Sequence, residues 1–401
     1  MRLLNLLKKN NMVIVGLNSG TSADGLDLAA IKFILKGKRC SINFLSGREV
    51  PYTPTLRKEV IKAISDREYR LDNMIRLDRR LGIFFGEEAR KFCAYLARTG
   101  NGPEIVASHG QTIRHLPRGI VINGKVLSGT LQLGHPESIA EQTGLPVVAD
   151  FRQGDIAAGG EGAPITTYAM WQLFSSKSES RLLINIGGIA NYFLVPRGGS
   201  PETILARDCG PGNSLLDIIT KKFFHRDYDV GGKIASGGRI SMRLLSLLLN
   251  DNFLMGKGGV STGRERFGSD FAEKAIKLSS RLELSGKDIL ATLTELTVIS
   301  IVSSVGNLAN EYGVRKIYLF GGGAKNRFLV RRLEANLPGM KFETAADLNY
   351  DSDYLEATCY AVMGGLTVHG IPTGLPGVTG SRYMAVGGRI VLPPVMNKRN
   401  L

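Results

Sequence analysis

The fold is decided by a stretch near the amino terminus, Met12-Val13-Ile14-Val15-Gly16-Leu17 followed by Asn18-Ser19-Gly20-Thr21-Ser22-Ala23-Asp24-Gly25. The apolar run predicts a buried strand, and the polar glycine-containing run predicts a turn. Residues 26–35 and 40–45 then predict a second and a third strand. In a P-loop or a dinucleotide-binding fold the glycine loop leads into a helix. Because this turn leads into a strand, the sequence predicts a meander of strands instead.

The same pattern returns in the second half of the chain. Residues 181–186 predict a strand, Gly187-Gly188-Ile189-Ala190-Asn191 its turn, and residues 192–195 and 203–207 two further strands. Helical spacing of apolar residues fills the intervals, as at 54–65, 71–98, 289–312 and 354–369. The repeat predicts a duplicated α/β architecture with two lobes. The alternative is a chance likeness between two glycine-rich hairpins.

Composition limits the class of protein. The chain has 401 residues, of which 43% are hydrophobic, and this is enough apolar material for two domains around one cleft. The net charge of +15 is not gathered into an aromatic-interleaved basic stripe, so we expect no nucleic-acid partner. We expect no membrane span, because no apolar run approaches about 20 residues. The four cysteines are far apart, which argues against zinc and disulfides and suits a reducing cytoplasm.

Three glycine-rich turns are candidates for phosphate binding. The first offers backbone amides and Asp24, a carboxylate that can hold Mg²⁺ through water. The second is Gly187-Gly188 with Asn191, where glycine allows the backbone to approach a ligand closely. The third is Gly321-Gly322-Gly323, which follows a predicted strand and could pack under adenine or present a helix N-terminus to phosphate. For each turn alone, an ordinary polar hairpin or loop is the alternative.

Polar residues also follow the predicted strands at 105–106 and 147–149. His109 lies in the segment 107–112, and Asp150 and Arg152 open a segment that continues into a glycine-rich loop ending at Pro164. Residues at strand ends in α/β proteins commonly face the ligand. A carboxylate there can act as a general base, or it can merely cap a turn. We interpret His109 as a hydrogen-bonding loop residue and not as a metal ligand, because His109 and His115 have no third ligand at zinc spacing.

These blocks resemble the anhydro-N-acetylmuramic acid kinase family, within the sugar kinase, actin and heat-shock-chaperone superfamily. Matching segments are 16–27, 108–113, 147–164, 185–191, 210–213, 291–297, 321–326 and 375–380, and they extend from residue 12 to about 392. The resemblance implies a two-lobed actin-like ATPase fold of the ribonuclease H-like type, with duplicated mixed sheets around an ATP and sugar cleft. We expect an extension at 1–11, an N-terminal lobe at 12–166 and a C-terminal lobe at 167–401, whose last helix packs back near the cleft.

The resemblance also implies an activity. Members use ATP and Mg²⁺; water opens the anhydro bridge of 1,6-anhydro-N-acetylmuramate, and the freed O6 takes the phosphoryl group. The product, N-acetylmuramate 6-phosphate, enters peptidoglycan recycling. Members are expected in the cytoplasm, commonly as homodimers. Two alternatives remain: a kinase of another anhydro sugar such as levoglucosan, and an ATP-binding regulatory protein without sugar chemistry.

The resemblance places the site residues as follows. The base is Asp155, with Asp150 as the runner-up. The sugar-binding residues are His109, Gln111, Thr112, Asp150, Arg152, Glu161 and Glu356. The ATP-binding residues are Gly20, Thr21, Ser22, Ala23, Asp24, Gly25, Leu26, Asp27, Asn185, Gly187, Gly188, Asn191, Gly210, Gly212, Asn213, Gly322, Gly323 and Asn326. The chain departs from the family's pattern at several positions, among them Asn18 in place of methionine, Glu161 in place of glutamine, Cys209 in place of threonine, and Gly231.

Overall fold

The computed structural model describes residues 2–20, 23–123, 125–255, 262–263, 266–348 and 350–394. The chain forms two compact units, of which unit 1 is Met1–Leu173 with Tyr354–Leu401 and unit 2 is Phe174–Asp353. The first boundary lies close to the one expected at 166/167. The carboxyl-terminal segment differs from the expectation, because residues from Tyr354 onward belong to unit 1 instead of continuing the second lobe.

The strands are as follows: β1 Asn11–Ser19, β2 Gly25–Lys36, β3 Arg39–Pro51, β4 Ile105–Ile122, β5 Lys125–Leu133, β6 Val147–Ala149, β7 Arg181–Ile186, β8 Ile189–Val195, β9 Leu205–Pro211, β10 Lys316–Phe320, β11 Lys341–Thr344 and β12 Arg389–Val391. The α-helices are as follows: α1 Arg2–Leu7, α2 Pro54–Ser65, α3 Leu71–Arg98, α4 Pro136–Thr143, α5 Gln153–Ala157, α6 Thr167–Phe174, α7 Asn213–Phe224, α8 Met242–Leu249, α9 Ser269–Arg281, α10 Gly286–Glu311, α11 Arg327–Asn336, α12 Leu355–Val368 and α13 Pro376–Thr379.

Both units contain a sheet with the same strand order. In unit 1 the order is β3-β2-β1-β4-β6-β12, where β1, β2 and β3 form the antiparallel meander and β4 and β6 run parallel to β1. In unit 2 the order is β9-β8-β7-β10-β11, again with a meander followed by parallel strands. If the strands of each path are numbered in chain order, leaving out the hairpin strand β5 in unit 1, both units contain the order 3-2-1-4-5. The predicted duplication of a mixed, ribonuclease H-like sheet is confirmed.

Alternation along β1 explains how unit 1 is packed, since successive side chains of a strand point to opposite faces. Val15 and Leu17 belong to a core that α2 and α3 complete on one face. On the other face α12 lies against the sheet, and the backbones approach closely because three helix and strand positions are glycine. A Cβ atom at Gly16 would lie 1.9 Å from the Ala357 carbonyl oxygen, and Gly364 and Gly365 contact Ala107 and Phe33 in the same way. This packing is the physical reason why the carboxyl-terminal helix belongs to unit 1.

The long helix of unit 2, α10, bears on the expectation that no segment spans a membrane. Among the described residues it is the helix that is long and apolar enough to cross a membrane by length and composition. In the structure 72% of its apolar window is buried inside the protein. Its side chains contribute to two cores, one with the sheet and α11 and one with α7, α8 and α9. The helix is therefore accounted for as a core helix of unit 2.

Two segments near the expected sugar loops differ from their sequence interpretation. The strand that begins at Ile105 does not stop after Val106 but continues to Ile122 and pairs with β5. The segment interpreted as a long loop from Gln153 onward begins with the short helix α5. Both differences matter for the site, because they place His109 and Gln111 on a strand and Asp155 on a helix.

Candidate active site

The first glycine turn in unit 1 is held at both ends by buried polar groups. At its start Ser19 Oγ lies 2.7 Å from Gln111 Oε1 and 2.6 Å from the Tyr52 hydroxyl. Ser19 Oγ also lies 2.8 Å from the Gly25 carbonyl oxygen, which closes the turn. The amide nitrogen of Gln111 donates to the Gly20 carbonyl at 3.2 Å. The turn is therefore held by contacts with Gly25 on β2, with Gln111 on β4 and with Tyr52, which follows β3.

The described part of this turn is compact. Ala23 has a φ of 52° and donates its amide to the Gly20 carbonyl at 3.2 Å, and the Asp24 carbonyl accepts from Tyr52 N at 2.8 Å. Asp24 is exposed. Thr21 and Ser22, which the sequence also assigns to ATP, lie outside the described residues. The remaining members of the predicted set, Leu26 and Asp27, continue the turn into β2.

The predicted sugar-binding residue Gln111 is buried, with no solvent exposure. Its amide group contacts Ser19, Gly20 and the Thr112 carbonyl, so its visible role is to hold the first turn. Thr112, the next predicted residue, accepts a hydrogen bond from Gln132 Nε2 at 3.2 Å in the β4–β5 hairpin.

A second cluster in unit 1 joins His109, Arg152 and Tyr360. Arg152 Nε donates to His109 Nε2 at 3.1 Å, and Arg152 Nη1 donates to the Gly162 carbonyl at 3.1 Å. The His109 ring stacks on Tyr360 with 4.5 Å between ring centroids, and Nδ1 lies 2.9 Å from the Gly110 carbonyl. Burial, and then the charge of Arg152, hold the pKa of His109 well below its usual value. His109 is thus a neutral imidazole whose two ring nitrogens both lie within hydrogen-bond distance of a partner.

Asp155, the predicted base, has both carboxylate oxygens engaged. Gly162 N donates to Oδ2 at 2.8 Å, and the Thr379 hydroxyl donates to Oδ1 at 2.6 Å. The residue is 1% exposed. A Cβ atom at Gly160 would lie 2.3 Å from Oδ2, so the loop can wrap the carboxylate only because residue 160 is glycine. This geometry fits an acid that organises the glycine loop better than an acid that contacts a water molecule.

The other predicted acids lie in different surroundings. Asp150 has a φ of 60° and forms an ion pair with Arg389 at 2.5 Å. Glu161 is half-buried, and its backbone amide donates to the Thr379 carbonyl at 2.8 Å.

Glu356 lies in the first turn of α12, where Asn18 Nδ2 donates to its Oε2 at 2.8 Å. Burial among protein atoms raises the pKa of Glu356, while the Asn18 hydrogen bond and the charge of Arg152 lower it. Glu356 is nevertheless exposed to solvent, because protein atoms surround its side chain on several sides but not on all.

In unit 2 the predicted ATP-binding turns meet at the carboxyl end of β7. The amides of Gly212 and Ser214 donate to the Gly188 carbonyl, and Asn213 N donates to the Gly187 carbonyl at 2.8 Å. Asn213 Nδ2 also donates to the Ile186 carbonyl at 3.2 Å. Hydrogen bonds therefore join the Gly187-Gly188 turn to the predicted ATP-binding residues Gly212 and Asn213.

The third glycine turn packs on the same point. A Cβ atom at Gly323 would lie 2.2 Å from Ile186 Cγ2, and one at Gly321 would lie 2.4 Å from Asn185 Oδ1. Asn326, also predicted to bind ATP, caps α11 by accepting from the amides of Phe328 and Leu329. The structure brings the turns of unit 2 together, and it gives Asn326 a helix-capping role.

The unit 2 turns retain features that fit a bound group. Asn191 Oδ1 is buried and has no hydrogen-bond partner among the described residues, although buried polar atoms are almost always paired. A Cβ atom at Gly187 would lie 3.5 Å from the Ile189 carbonyl oxygen, which is an ordinary van der Waals distance, so the turn is not tightly packed at this position. An unpaired buried acceptor beside a glycine turn fits a polar ligand such as a nucleotide.

Sequence reasoning did not select Asp208, which lies on β9 opposite Asn191. Its Oδ2 accepts from Thr262 N at 2.8 Å, and the residue is only partly buried. The signal that could have found it is its position, since it is the acid directly before the Cys209-Gly210 turn. Among the described residues, no group of three or more His, Cys, Asp or Glu could hold a metal ion. The exposed carboxylate of Asp24 is suited to a Mg²⁺ ion whose other ligands are phosphate oxygens and water molecules.

Comparison with known proteins bears on the whole chain. Residues 12–393 match the family model described as anhydro-N-acetylmuramic acid kinase. An anhydro-N-acetylmuramic acid kinase of Caldanaerobacter subterraneus subsp. tengcongensis is 36% identical over 394 residues, which are 98% of this chain and 100% of that protein. One from Bacillus cereus strain G9842 is 36% identical over 392 residues, 96% of this chain and 100% of the relative.

Similarity to solved structures is much weaker. Component A of (R)-2-hydroxyglutaryl-CoA dehydratase from Acidaminococcus fermentans has a TM-score of 0.41 at 14% identity, covering 89% of this chain and 99% of that chain. A ROK family glucokinase from Streptomyces griseus has a TM-score of 0.36 at 12% identity, covering 88% and 99%. The sequence similarity, over nearly the full length of both chains, is decisive: this chain belongs to the anhydro-N-acetylmuramic acid kinase family.

Proposed function

We propose that this protein is an ATP-dependent kinase of 1,6-anhydro-N-acetylmuramate. Water opens the 1,6-anhydro bridge, and the freed O6 receives the phosphoryl group, which gives N-acetylmuramate 6-phosphate for cell-wall sugar recycling. The observation that carries the proposal is the family match over residues 12–393. The duplicated sheet and its glycine turns support it, because such a frame can present backbone amides to phosphate.

We propose one set of nucleotide-binding residues within each unit. In unit 1 the first turn, from Gly20 to Asp27, is braced by Ser19, Tyr52 and Gln111. In unit 2 the turns at Gly187, Gly212 and Gly321 lie against one another at the end of β7. When bound, ATP supplies the phosphoryl group, and Mg²⁺ neutralises the negative charge on that group. Asp24 would hold the metal through water, and the backbone amides of the turns would hold phosphate.

We assign the sugar site to His109 and Arg152 of the second unit 1 cluster, together with the neighbouring Glu356. Arg152 is fixed by His109 and Gly162, and Glu356 is close enough to Arg152 for its charge to matter. A muramic sugar carries a lactyl carboxylate, which a fixed guanidinium binds well. We therefore assign Arg152 to that carboxylate and Glu356 to a hydroxyl of the sugar.

Opening the anhydro bridge needs a carboxylate that accepts a proton from water. The prediction from the sequence gives this role to Asp155, whose contacts with Gly162 and Thr379 favour a holding role instead. Asp150, the runner-up from the sequence, and Glu356 are more exposed to solvent than Asp155. Three isosteric variants separate the roles: Asp155→Asn, Asp150→Asn and Glu356→Gln. The base is the residue whose amide variant loses turnover by several orders of magnitude while ATP affinity and thermal stability are kept. A holding residue instead loses stability together with activity.

The decisive experiment is ADP release measured over a panel of sugars. We expect turnover with 1,6-anhydro-N-acetylmuramate, and a product that carries phosphate on O6 and a free anomeric hydroxyl. Levoglucosan and the reducing sugar N-acetylmuramate serve as comparison substrates. Better turnover of levoglucosan would change the substrate assignment. No turnover of any 1,6-anhydro sugar, by a protein that binds ATP, would favour a regulatory ATP-binding role.

We also propose that the protein acts in the cytoplasm as a homodimer. All four cysteines, Cys40, Cys93, Cys209 and Cys359, are free thiols, as a reducing compartment favours. Light scattering coupled to size-exclusion chromatography tests the oligomeric state. A mass near the 43.5 kDa of one chain at micromolar concentration would reject the dimer.

A further inference from the structure

The departure from the family pattern at residue 18 lies beside a carboxylate of the sugar site. Gly16 and Asn18 point to the same face of β1, because side chains two apart on a strand share a face. At Gly16 the absence of a Cβ atom lets the backbone of α12 lie directly on the strand, since a Cβ would be 1.9 Å from the Ala357 carbonyl oxygen. This close approach brings the first turn of α12 within hydrogen-bond distance of Asn18.

Asn18 has one described partner for its amide nitrogen. The residue is 2% exposed, and its Nδ2 donates to Glu356 Oε2 at 2.8 Å. Glu356 Oε1 has no hydrogen-bond partner in the part of the chain that the structure describes, and Glu356 keeps solvent exposure. One oxygen of this carboxylate is therefore fixed by the strand, while the other is open to a ligand.

The charged and titratable groups around this pair come from several elements. Arg152, at the start of α5, is the cation whose charge favours the ionised form of Glu356. Cys359 and Tyr360 lie one turn along α12, and burial with the charge of Glu356 keeps both neutral by raising the pKa of each. Asp27 lies opposite Asn18 in the β1–β2 register. Among these residues, Asn18 is the one that donates a hydrogen bond to the Glu356 carboxylate, and it does so from the neighbouring strand β1.

We propose that Asn18 is a positioning residue that fixes Glu356 Oε2 on β1 and leaves Oε1 to bind the sugar substrate. The inference rests on the proposed function, because it needs Glu356 to contact the sugar. Methionine, which the family resemblance places at this position, has no N–H to donate. This chain therefore holds the acid by a contact that the family pattern lacks, and the donor favours its ionised form.

The test compares Asn18→Met, Asn18→Asp and the unchanged protein in the pH profile of kcat/KM for 1,6-anhydro-N-acetylmuramate. Removal of the donor in Asn18→Met should move the limb that depends on Glu356 to higher pH by about 1 unit. Asn18→Asp is nearly isosteric and brings a second negative charge, so it should move the limb in the same direction and further. The KM for ATP should stay unchanged in both. Glu356→Gln identifies the limb by removing it.

A direct titration keeps this test separate from the proposed function. In protein labelled with carboxyl ¹³C-glutamate, the Glu356 resonance is assigned by its loss in Glu356→Gln, and its midpoint is followed by NMR without any substrate. A higher midpoint in folded Asn18→Met supports the positioning role even if the true substrate is a different sugar. An unchanged midpoint together with an unchanged pH profile overturns it. Absence of turnover by the unchanged protein would count against the proposed function alone.

Discussion

Thr379 donates its hydroxyl to Asp155 Oδ1 at 2.6 Å, although the two residues are 224 positions apart in the chain. The contact joins the short helix α13 to the short helix α5, which the glycine loop follows. Two backbone bonds run alongside it, from Glu161 N to the Thr379 carbonyl and from Arg382 N to the Ala158 carbonyl. The carboxyl-terminal segment thus holds the predicted sugar loop at several points, and Asp155 supplies the side-chain contact among them.

Loss of the Thr379 hydroxyl should weaken both the loop and the fold of unit 1. Thr379→Val keeps the shape but leaves Asp155 Oδ1 buried with one donor fewer, which should lower the free energy of unfolding by about 1–3 kcal/mol. The KM for the sugar should rise more than the KM for ATP. Denaturant melting and steady-state kinetics measure the two effects. Thr379→Ser is the matched control and should restore both values. Equal stability of Thr379→Val and the unchanged protein would contradict the holding role.

The lack of a side chain at Gly160 should be essential to the same loop. Alanine there would place a Cβ atom 2.3 Å from Asp155 Oδ2, so the loop or the carboxylate must move. We expect Gly160→Ala to lose most of its sugar phosphorylation while it still binds ATP. Gly377→Ala is the control, since a Cβ atom at that helical position has no neighbour within 4 Å. Similar loss in both variants, measured by ADP release and calorimetric ATP binding, would count against this explanation.

The sequence could predict the strands and the glycine turns, because each depends on local patterns of apolar residues and glycine. Even the helix bounds of α2 and α3 agree with the predicted 54–65 and 71–98. It could not predict which side chains hold the turns. The partners of Gln111 and Asp155 are distant along the chain, and their distances depend on close packing of strands and helices. The return of α12 to unit 1 likewise follows from glycine contacts that no local pattern reveals.

Substitution of Gln111 should raise the KM for ATP more than the KM for the sugar, although the sequence predicts that Gln111 binds sugar. Its amide supports the first turn through Gly20 and Ser19, and its side chain is fully buried. Gln111→Met removes these bonds at similar length and should raise the KM for ATP about 5-fold, as expected from the loss of ~1 kcal/mol. Steady-state kinetics with each substrate varied in turn makes the comparison. A larger change in the KM for the sugar would restore the substrate-binding assignment.

Buried histidines should make the protein less stable in mild acid. Burial lowers the pKa of His109 well below the usual 6.5 and that of His115 to about 4. Between these folded-state values and 6.5 the unfolded chain binds protons that the folded chain does not. Stability should therefore fall as the pH drops below about 6.5, by linkage. Chemical denaturation at pH 7.5, 6.5 and 5.5, chosen around that value, measures the slope. The slope should be shallower in His109→Gln, and an unchanged slope would show that His109 contributes nothing to it.

In unit 2, two adjacent glycines should differ sharply in their tolerance of alanine. A Cβ atom at Gly323 would lie 2.2 Å from Ile186 Cγ2, at the point where the nucleotide turns meet, whereas one at Gly322 would lie at an ordinary 3.6 Å from Asn213 Nδ2. Overpacking of this kind costs about 1–3 kcal/mol and displaces the backbone. Gly323→Ala should thus lower both the melting temperature and the ATP affinity, while Gly322→Ala should leave the melting temperature nearly unchanged. Calorimetry with ATP and thermal melting test the pair. Because the two positions are neighbours in one 3₁₀ turn, equal effects would mean that local backbone propensity matters there and that packing on Ile186 does not.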